Sequence, residues 1–406
     1  MAVSLLSDPS PLLAETQRCV QCGLCLPHCP TYLVREDEGE SPRGRIALMN
    51  AYLRGDLPAG SRLQAHLDHC LGCRACEAAC PAGVAYGRLL DGTREAFNHE
   101  RTLSPLVQRL LATVGDRDEL RKLGRRLRAA QQSGAVWLAR HSGLLRPDTR
   151  RLSRLLPPLA PQTPWQDCYR ARGPRQGSVA LFLGCVAEVV DRVTLTDAIT
   201  VLNHCGYDVH VPKAQGCCGA LHQHNGQPGT ARELRKRNRH AFDQYDVEAV
   251  ITTASACGAE LTEATPAPAT PVRDVCEFLA TAQWPPTTRF RSWPIRIAVQ
   301  EPCSLRYPLR QQTHAYRLLG RIPGVEPVPL PGNEQCCGAA GSYVLNEPAM
   351  ADALGDRKIR ALRDSGATLL ATSNTGCALH LRAGLLAAGL HVKVLHPVSV
   401  LASRLG

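Results

Sequence analysis

Eight cysteines fall in two tight runs near the start of the chain. They are Cys19-Val-Gln-Cys22-Gly-Leu-Cys25-Leu-Pro-His-Cys29-Pro30 and Cys70-Leu-Gly-Cys73-Arg-Ala-Cys76-Glu-Ala-Ala-Cys80-Pro81. Both spell C-x2-C-x2-C-x3-C-P. In such a run three close thiolates hold one cubane, and the fourth reaches across to a second. The expected chemistry is one-electron transfer through two [4Fe–4S] clusters. Cys19, Cys22, Cys25 and Cys80 are assigned to one cluster, and Cys70, Cys73, Cys76 and Cys29 to the other. Structural zinc is usually held by two cysteine pairs with a longer spacer between them. Disulfides belong to short secreted chains in an oxidising compartment. Neither fits four cysteines in one run.

A second constellation lies downstream and occurs twice. The strand-like stretch Ser178-Val-Ala-Leu-Phe-Leu-Gly-Cys185 is followed by Cys217-Cys218-Gly219, then by Ala249-Val-Ile-Thr-Thr and Cys257. Ile295-Arg-Ile-Ala-Val-Gln-Glu-Pro-Cys303 is followed by Cys336-Cys337-Gly338, then by Thr368-Leu-Leu-Ala-Thr and Cys377. The gaps agree, with 31 and 32 residues before the pair and 38 and 39 after it. Four positions matched twice make an internal repeat. Strands alternating with helical stretches imply βαβ units and small parallel sheets, whose carboxyl ends are where sites form. A metal or redox role is expected for Cys185, Cys217, Cys218, Cys257, Cys303, Cys336, Cys337 and Cys377. The plainer alternative is packing as small buried hydrophobes. His222 and His224 beside the first triplet are read as hydrogen-bonding neighbours, and Cys168, Cys205 and Cys276 as structural thiols.

The elements that must carry these residues give an α/β chain of four parts. Residues 1–100 form a helical two-cluster ferredoxin domain, because the 40 residues between Cys29 and Cys70 show helical periodicity in Arg45–Leu53 and Ser61–His69. Residues 101–175 form a connector that is helical at first. Leu103, Leu106, Val107, Leu110, Leu111 and Val114 make one apolar stripe, and Pro157, Pro158, Pro161 and Pro164 mark an extended linker. Residues 176–290 and 291–406 are the two tandem βαβ-type cysteine-rich repeats.

Charge is concentrated in one place. The chain of 406 residues carries a formal +11, and residues 101–175 alone hold sixteen Lys/Arg against five Asp/Glu. That segment is read as a solvated helical surface, or as a dock for an acidic partner or anionic lipid. Aromatics at 4% and no recognisable motif argue against nucleic acid. Nineteen cysteines with no signal peptide and no transmembrane segment point to a reducing compartment. The expected location is the cytoplasm, including a peripheral position on the cytoplasmic face of the inner membrane.

The Cys-Cys-Gly repeat resembles the cysteine-rich domain of heterodisulfide reductases and of iron–sulfur subunits of flavin-dependent 2-hydroxyacid and glycerol-3-phosphate dehydrogenases. Closer phrases are Cys19-Val-Gln-Cys22-Gly-Leu-Cys25, Glu40-Ser-Pro-Arg-Gly-Arg-Ile46, Cys217-Cys-Gly-Ala-Leu-His-Gln-His-Asn-Gly226 and Cys336-Cys-Gly-Ala-Ala-Gly-Ser-Tyr343. These are similar to the iron–sulfur subunits of bacterial glycolate dehydrogenase (glycolate oxidase). The resemblance implies an electron-transfer subunit with no catalytic residues of its own. FAD would sit only in a catalytic partner subunit, beside a second related flavoprotein subunit, with a quinone or other acceptor. No G-x-G-x-x-G after a strand and no Walker A motif is present, in line with flavin elsewhere. Lactate, glycerol 3-phosphate and heterodisulfide-type thiol chemistry stand as alternatives. One departure stands out. The fullest such domains end in C-x-x-C and hold a noncubane cluster with five cysteines, whereas Glu260 and His380 occupy the last position here. Carboxylate and imidazole can ligate iron, so further iron–sulfur centres in the repeats stay open, with Glu260 and His380 as weaker ligand candidates.

Overall fold

The computed structural model describes residues 9–97, 103–265 and 268–406. The N-terminal part is helical. Helices Ser10–Gln17, Pro42–Arg54, Ser61–Asp68 and Tyr86–Ala96 pack around buried Met49, Tyr52, Leu67, Leu89 and Leu90. The two cysteine runs are loops on this scaffold. The phrase Ser41-Pro-Arg-Gly-Arg45 explains the start of the second helix. Ser41 Oγ accepts the Gly44 N–H at 2.9 Å as N-cap, and Pro42 fills the first turn. Gly44 lies so close to Glu38 that a Cβ would sit 1.9 Å from its carbonyl oxygen.

The connector holds helices Pro105–Gly115, Arg117–Gln132, Ala135–His141 and Pro147–Leu155, and residues 156–167 carry no regular structure. Val107, Leu111 and Val114 of the expected stripe are buried. Arg117 and Arg121 pair with Glu188 at 2.9 and 2.8 Å, and Arg151 pairs with Asp352 at 2.7 Å, so the connector clamps both repeats.

The C-terminal half contains two sheets. Strands β1 (Cys168–Tyr169), β2 (Gly177–Phe182), β3 (Tyr207–His210), β4 (Val250–Thr252) and β5 (Val272–Asp274) lie in the order β1-β3-β2-β4-β5. Strands β6 (Ile295–Gln300), β7 (Val325–Pro329), β8 (Leu369–Thr372) and β9 (Lys393–Leu395) lie in the order β7-β6-β8-β9. All pairs are parallel except β1 against β3, where Cys168 faces His210. The second sheet repeats the order of the first without β1.

Three details differ from the sequence reading. β2 and β6 stop at Phe182 and Gln300, short of Cys185 and Cys303, so the cysteines sit in the turns that follow. β1 joins the first sheet from within the expected connector. Besides an apolar cluster of its own, each repeat contributes to a common one. Leu181, Leu195 and Ile251 of the first share one apolar cluster with Ile297, Val299, Leu369 and Val398 of the second. The last helix, Pro397–Arg404, packs on Arg192–His204 of the first repeat. Among the described residues no helix is long and apolar enough to cross a membrane.

Candidate metal centres

Cys19, Cys22, Cys25 and Cys80 line one pocket at the surface, with Cys22 exposed. Cys29, Cys70, Cys73 and Cys76 line a second, and Cys76 also borders the first. The geometry thus places each fourth cysteine with the other run's triplet. Both loops fold alike. The residues flanking the second cysteine, Gln21 and Gly23 in one and Gly72 and Arg74 in the other, all have φ between 58° and 83°. Left-handed backbone on both sides of a cysteine curls three sulfurs about one point, and for Gln21 and Arg74 it is held against its usual cost.

Burial pushes the Cys76 thiol well above its ordinary range, and Cys73, Cys70 and Cys29 push it further. Four thiols this close do not ionise together unless a cation shares the space. The donor set therefore fits a metal centre.

The second set has a built surround. Tyr86 Oη donates to Cys70 Sγ at 3.6 Å, and the Gly72 N–H does so at 3.4 Å. Cys29 Sγ lies 3.3 Å from Thr31 Oγ1 and 4.0 Å from Arg45 Nη1. Arg45 is 1% exposed, and its Nη1 donates to Thr31 Oγ1 at 3.1 Å and its Nε to the His66 carbonyl at 2.7 Å. Its Nη2 pairs with Glu40, whose carboxylate also receives His69 Nδ1 at 2.7 Å and His66 Nδ1 at 3.0 Å. Burial alone would raise Glu40, but the His69 hydrogen bond, the Arg45 charge and His66 hold its carboxyl at about 2. In the sequence, Glu40–Ile46 stands out only as a family phrase, and these roles are not visible there. A Glu–Arg pair five residues apart was the available signal.

In each repeat the lone cysteine, the pair and the last cysteine lie just beyond the carboxyl ends of three neighbouring parallel strands. Chain order reverses beside the central strand there, which opens a crevice. In the first repeat Cys185 and Cys218 donate to Cys217, and with the Gly219 N–H they hold Cys217 far below the usual thiol range. In the second, Cys303 Sγ lies 3.9 Å from Cys336 Sγ, and the Asn374 amide donates to Cys377 Sγ at 3.4 Å. Gly219 and Gly338 stand at φ 99° and 91° with helix backbone against them, which is why the triplet ends in glycine.

Both sets open onto one cavity of about 450 Å³. Cys70 and Cys73 line it too, so the ferredoxin part and both repeats meet there. Cys73 packs with Cys303, Cys336, Leu71 and Tyr343, and Tyr343 Oη donates to the His69 carbonyl at 3.0 Å. Ion pairs cross between the same parts, among them Arg74 with Glu263 at 2.6 Å and His224 with Asp91 at 3.1 Å. The two weaker candidates are otherwise engaged. Glu260 lines the cavity but its carboxylate pairs with Arg235. His380 also lines it, and its Nε2–H donates to the Ala351 carbonyl at 2.9 Å, leaving Nδ1 as its donor atom for a metal. His222 Nδ1 meets Gln227 Oε1 at 2.8 Å. Cys205 and Cys276 are buried in the shared core, and Cys168 sits half-buried on β1.

Known proteins share these parts. Residues 15–84 match a 4Fe-4S dicluster domain, and residues 179–262 and 297–382 each match a cysteine-rich domain. The probable glycolate oxidase iron-sulfur subunit of Bacillus subtilis is 34% identical over 94% of this chain and 91% of its own length. The glycolate oxidase iron-sulfur subunit of Escherichia coli is 31% identical over 89% of each. Lactate utilization protein A of Geobacillus thermodenitrificans is 25% identical and aligns with 56% of this chain over 99% of its own length. With cubane-type thiol runs, doubled Cys-Cys-Gly turns and relatives matched nearly end to end, the chain belongs to the family of glycolate oxidase iron–sulfur subunits.

Proposed function

We propose that this chain is the electron-transfer subunit of a glycolate dehydrogenase complex, carrying electrons from an FAD-bearing partner to a quinone or other acceptor. The observation that carries the reading is that the second cysteine run, through Cys70 and Cys73, and both Cys-Cys-Gly sets line one cavity. Two relatives matched over most of their length are named for glycolate, whereas the lactate relative aligns with only 56% of this chain. When bound, [4Fe–4S] groups supply one-electron carriers, which a two-electron hydroxyacid oxidation needs downstream of a flavin.

Cys19, Cys22, Cys25 and Cys80 hold the group nearer the surface, where Cys22 is exposed. Cys29, Cys70, Cys73 and Cys76 hold the inner one, with Tyr86, Thr31 and Arg45 presenting donors and positive charge to its sulfurs. Cys185, Cys217, Cys218 and Cys257, and Cys303, Cys336, Cys337 and Cys377, offer thiolates to further iron–sulfur centres. The domain limits 1–100, 101–175, 176–290 and 291–406, a second flavoprotein subunit and a peripheral cytoplasmic-side location complete the reading.

The test is anaerobic purification of this chain with its flavoprotein subunits. Glycolate-dependent dye reduction is expected from the complex and not from this chain alone. Cys73→Ser should leave flavin bleaching by glycolate intact and stop acceptor reduction. Wild-type turnover in that variant, or lactate strongly preferred over glycolate, would refute the assignment.

A further inference from the structure

The connector's charge is divided in a way that its sequence hides. Residues 121–155 hold ten Lys/Arg and one acidic residue, Asp148. Several of these arginines are used internally. Arg128 donates to the Leu159 carbonyl, Arg140 to the carbonyls of Ser153 and Leu156, and Arg150 to those of Gly143 and Leu145. The side chains of Arg125, Arg126 and Arg146 are exposed and make no hydrogen bond or ion pair among the described residues. Asp118 and Glu119 lie in the first turn of the helix Arg117–Gln132, about two turns before Arg125 and Arg126.

Where this basic surface turns, the chain exposes apolar side chains. Trp137, Leu138 and Leu144 are 65%, 63% and 87% exposed on the short helix Ala135–His141 and the turn after it. Arg140 and Arg150 lock that turn onto the next helix, so the three side chains are held outward by the fold. Three projecting side chains make up only a small part of the about 800 Å² that a protein interface buries per partner. They suit a bilayer, which any projecting apolar group can enter. A Trp and a Leu on a helix packed against the basic helix Arg117–Gln132 suit the depth at which an amphipathic ring meets headgroups and arginines meet lipid phosphate.

We infer that Trp137, Leu138 and Leu144, backed by Arg125, Arg126 and Arg146, seat this subunit on an anionic lipid bilayer. This deepens the peripheral location proposed above and rests on it. The experiment measures binding alone, so its outcome is separate from the glycolate assignment.

The purified full-length protein is sedimented with vesicles of phosphatidylglycerol and phosphatidylethanolamine, and with vesicles of phosphatidylcholine. Binding to the anionic vesicles is expected, weakening steeply between low and high salt. Each of Arg125→Gln, Arg126→Gln and Arg146→Gln should lower it roughly fivefold. Trp137→Ser with Leu144→Ser should abolish it, while Leu386→Ser, at an exposed leucine elsewhere, should not. Trp137→Phe should remove a blue shift of tryptophan emission that wild type shows on the vesicles. Equal binding by the Trp137→Ser/Leu144→Ser protein would overturn the inference. So would loss of flavoprotein-subunit binding in that variant with vesicle binding unchanged, since the surface would then belong to a protein partner.

Discussion

Replacing Gly338 by Ala puts the architecture of the Cys-Cys-Gly turn to a quantitative test. Gly338 sits at φ 91°, and a Cβ there would lie 2.4 Å from the Ala351 carbonyl oxygen and 3.0 Å from its Cα. Both neighbours are helix backbone and yield little. The left-handed conformation costs an L-residue about 1–2 kcal/mol, and forcing a methyl into packed backbone adds about 1–3 kcal/mol. The sum is about 2–5 kcal/mol, or a fall of roughly 5–15 °C in the melting midpoint for a unit this size. Gly219 is the same position in the first repeat, at φ 99°, but its nearest neighbour is 3.1 Å away. Gly219→Ala should lose only about 1–2 kcal/mol. Gly332, at φ 79° with nothing within 4 Å, is the control for conformational cost without a clash. Thermal melts of the three variants, with thiol-reagent titration of Cys336 and Cys337, provide the assay. The order of damage should be Gly338, then Gly219 and Gly332 together, and only Gly338→Ala should expose the cysteine pair. A Gly338→Ala protein melting within about 1 °C of Gly332→Ala would sink the argument.

Burial holds His396 down at about 3 although the Thr253 backbone bond opposes it, and its Nδ1 caps the last helix by accepting the Val398 N–H at 3.1 Å. The unfolded chain takes that proton first, at about 6.5. The associated stability is therefore full above that pH and falls toward pH 3, by about 2 kcal/mol at pH 5. His396→Asn, which keeps a cap, should remove that part of the acid sensitivity, and an unchanged pH slope would refute the point. Arg45 and Glu40 are 1% and 2% exposed, so Arg45→Met alone should destabilise by about 3–5 kcal/mol. Adding Glu40→Met should recover part of the loss, and a mild single variant in chemical denaturation would count against the buried pair. Cys29→Ser should deplete iron from the set containing Cys70, Cys73 and Cys76 and spare Cys19, Cys22 and Cys25. Paramagnetic resonance of the reduced protein that shows the opposite loss would exclude crossed ligation.

Much of the site was readable because thiol spacing is local. The cubane runs and Cys-Cys-Gly turns each need their residues within a few positions, so composition and gap lengths carry the message. The helix Pro42–Arg54 was visible in its periodicity, and the parallel strands in their apolar runs. What escaped was everything decided between distant segments. Nothing at Arg45 marks it as passing under Cys29, because its burial depends on helix Ser61–Asp68 closing over it. The strand at Cys168–Tyr169 is two residues long and exists only because β3 offers an edge. The repeat pattern marked two tandem copies, but identical spacing says nothing about which apolar face meets which. The single cavity shared by both thiol sets follows from that missed core.

The shared core sets an order of events during synthesis. Val398, Val400 and Leu401 are fully buried and lie on a helix that packs against Arg192–His204. That partner helix leaves the ribosome about 200 residues earlier, roughly 10–40 s at ordinary elongation rates. From the emergence of Cys257 until the end of that interval the first repeat has its four cysteines but lacks the helix that completes the shared apolar core. Packing of the repeats is therefore completed only when the chain is nearly finished, whereas the ferredoxin portion, whose helices close among themselves by residue 97, can fold while the rest is still being made. A chain ended at residue 396 should keep iron in its N-terminal part and leave the thiols of both repeats open to alkylation.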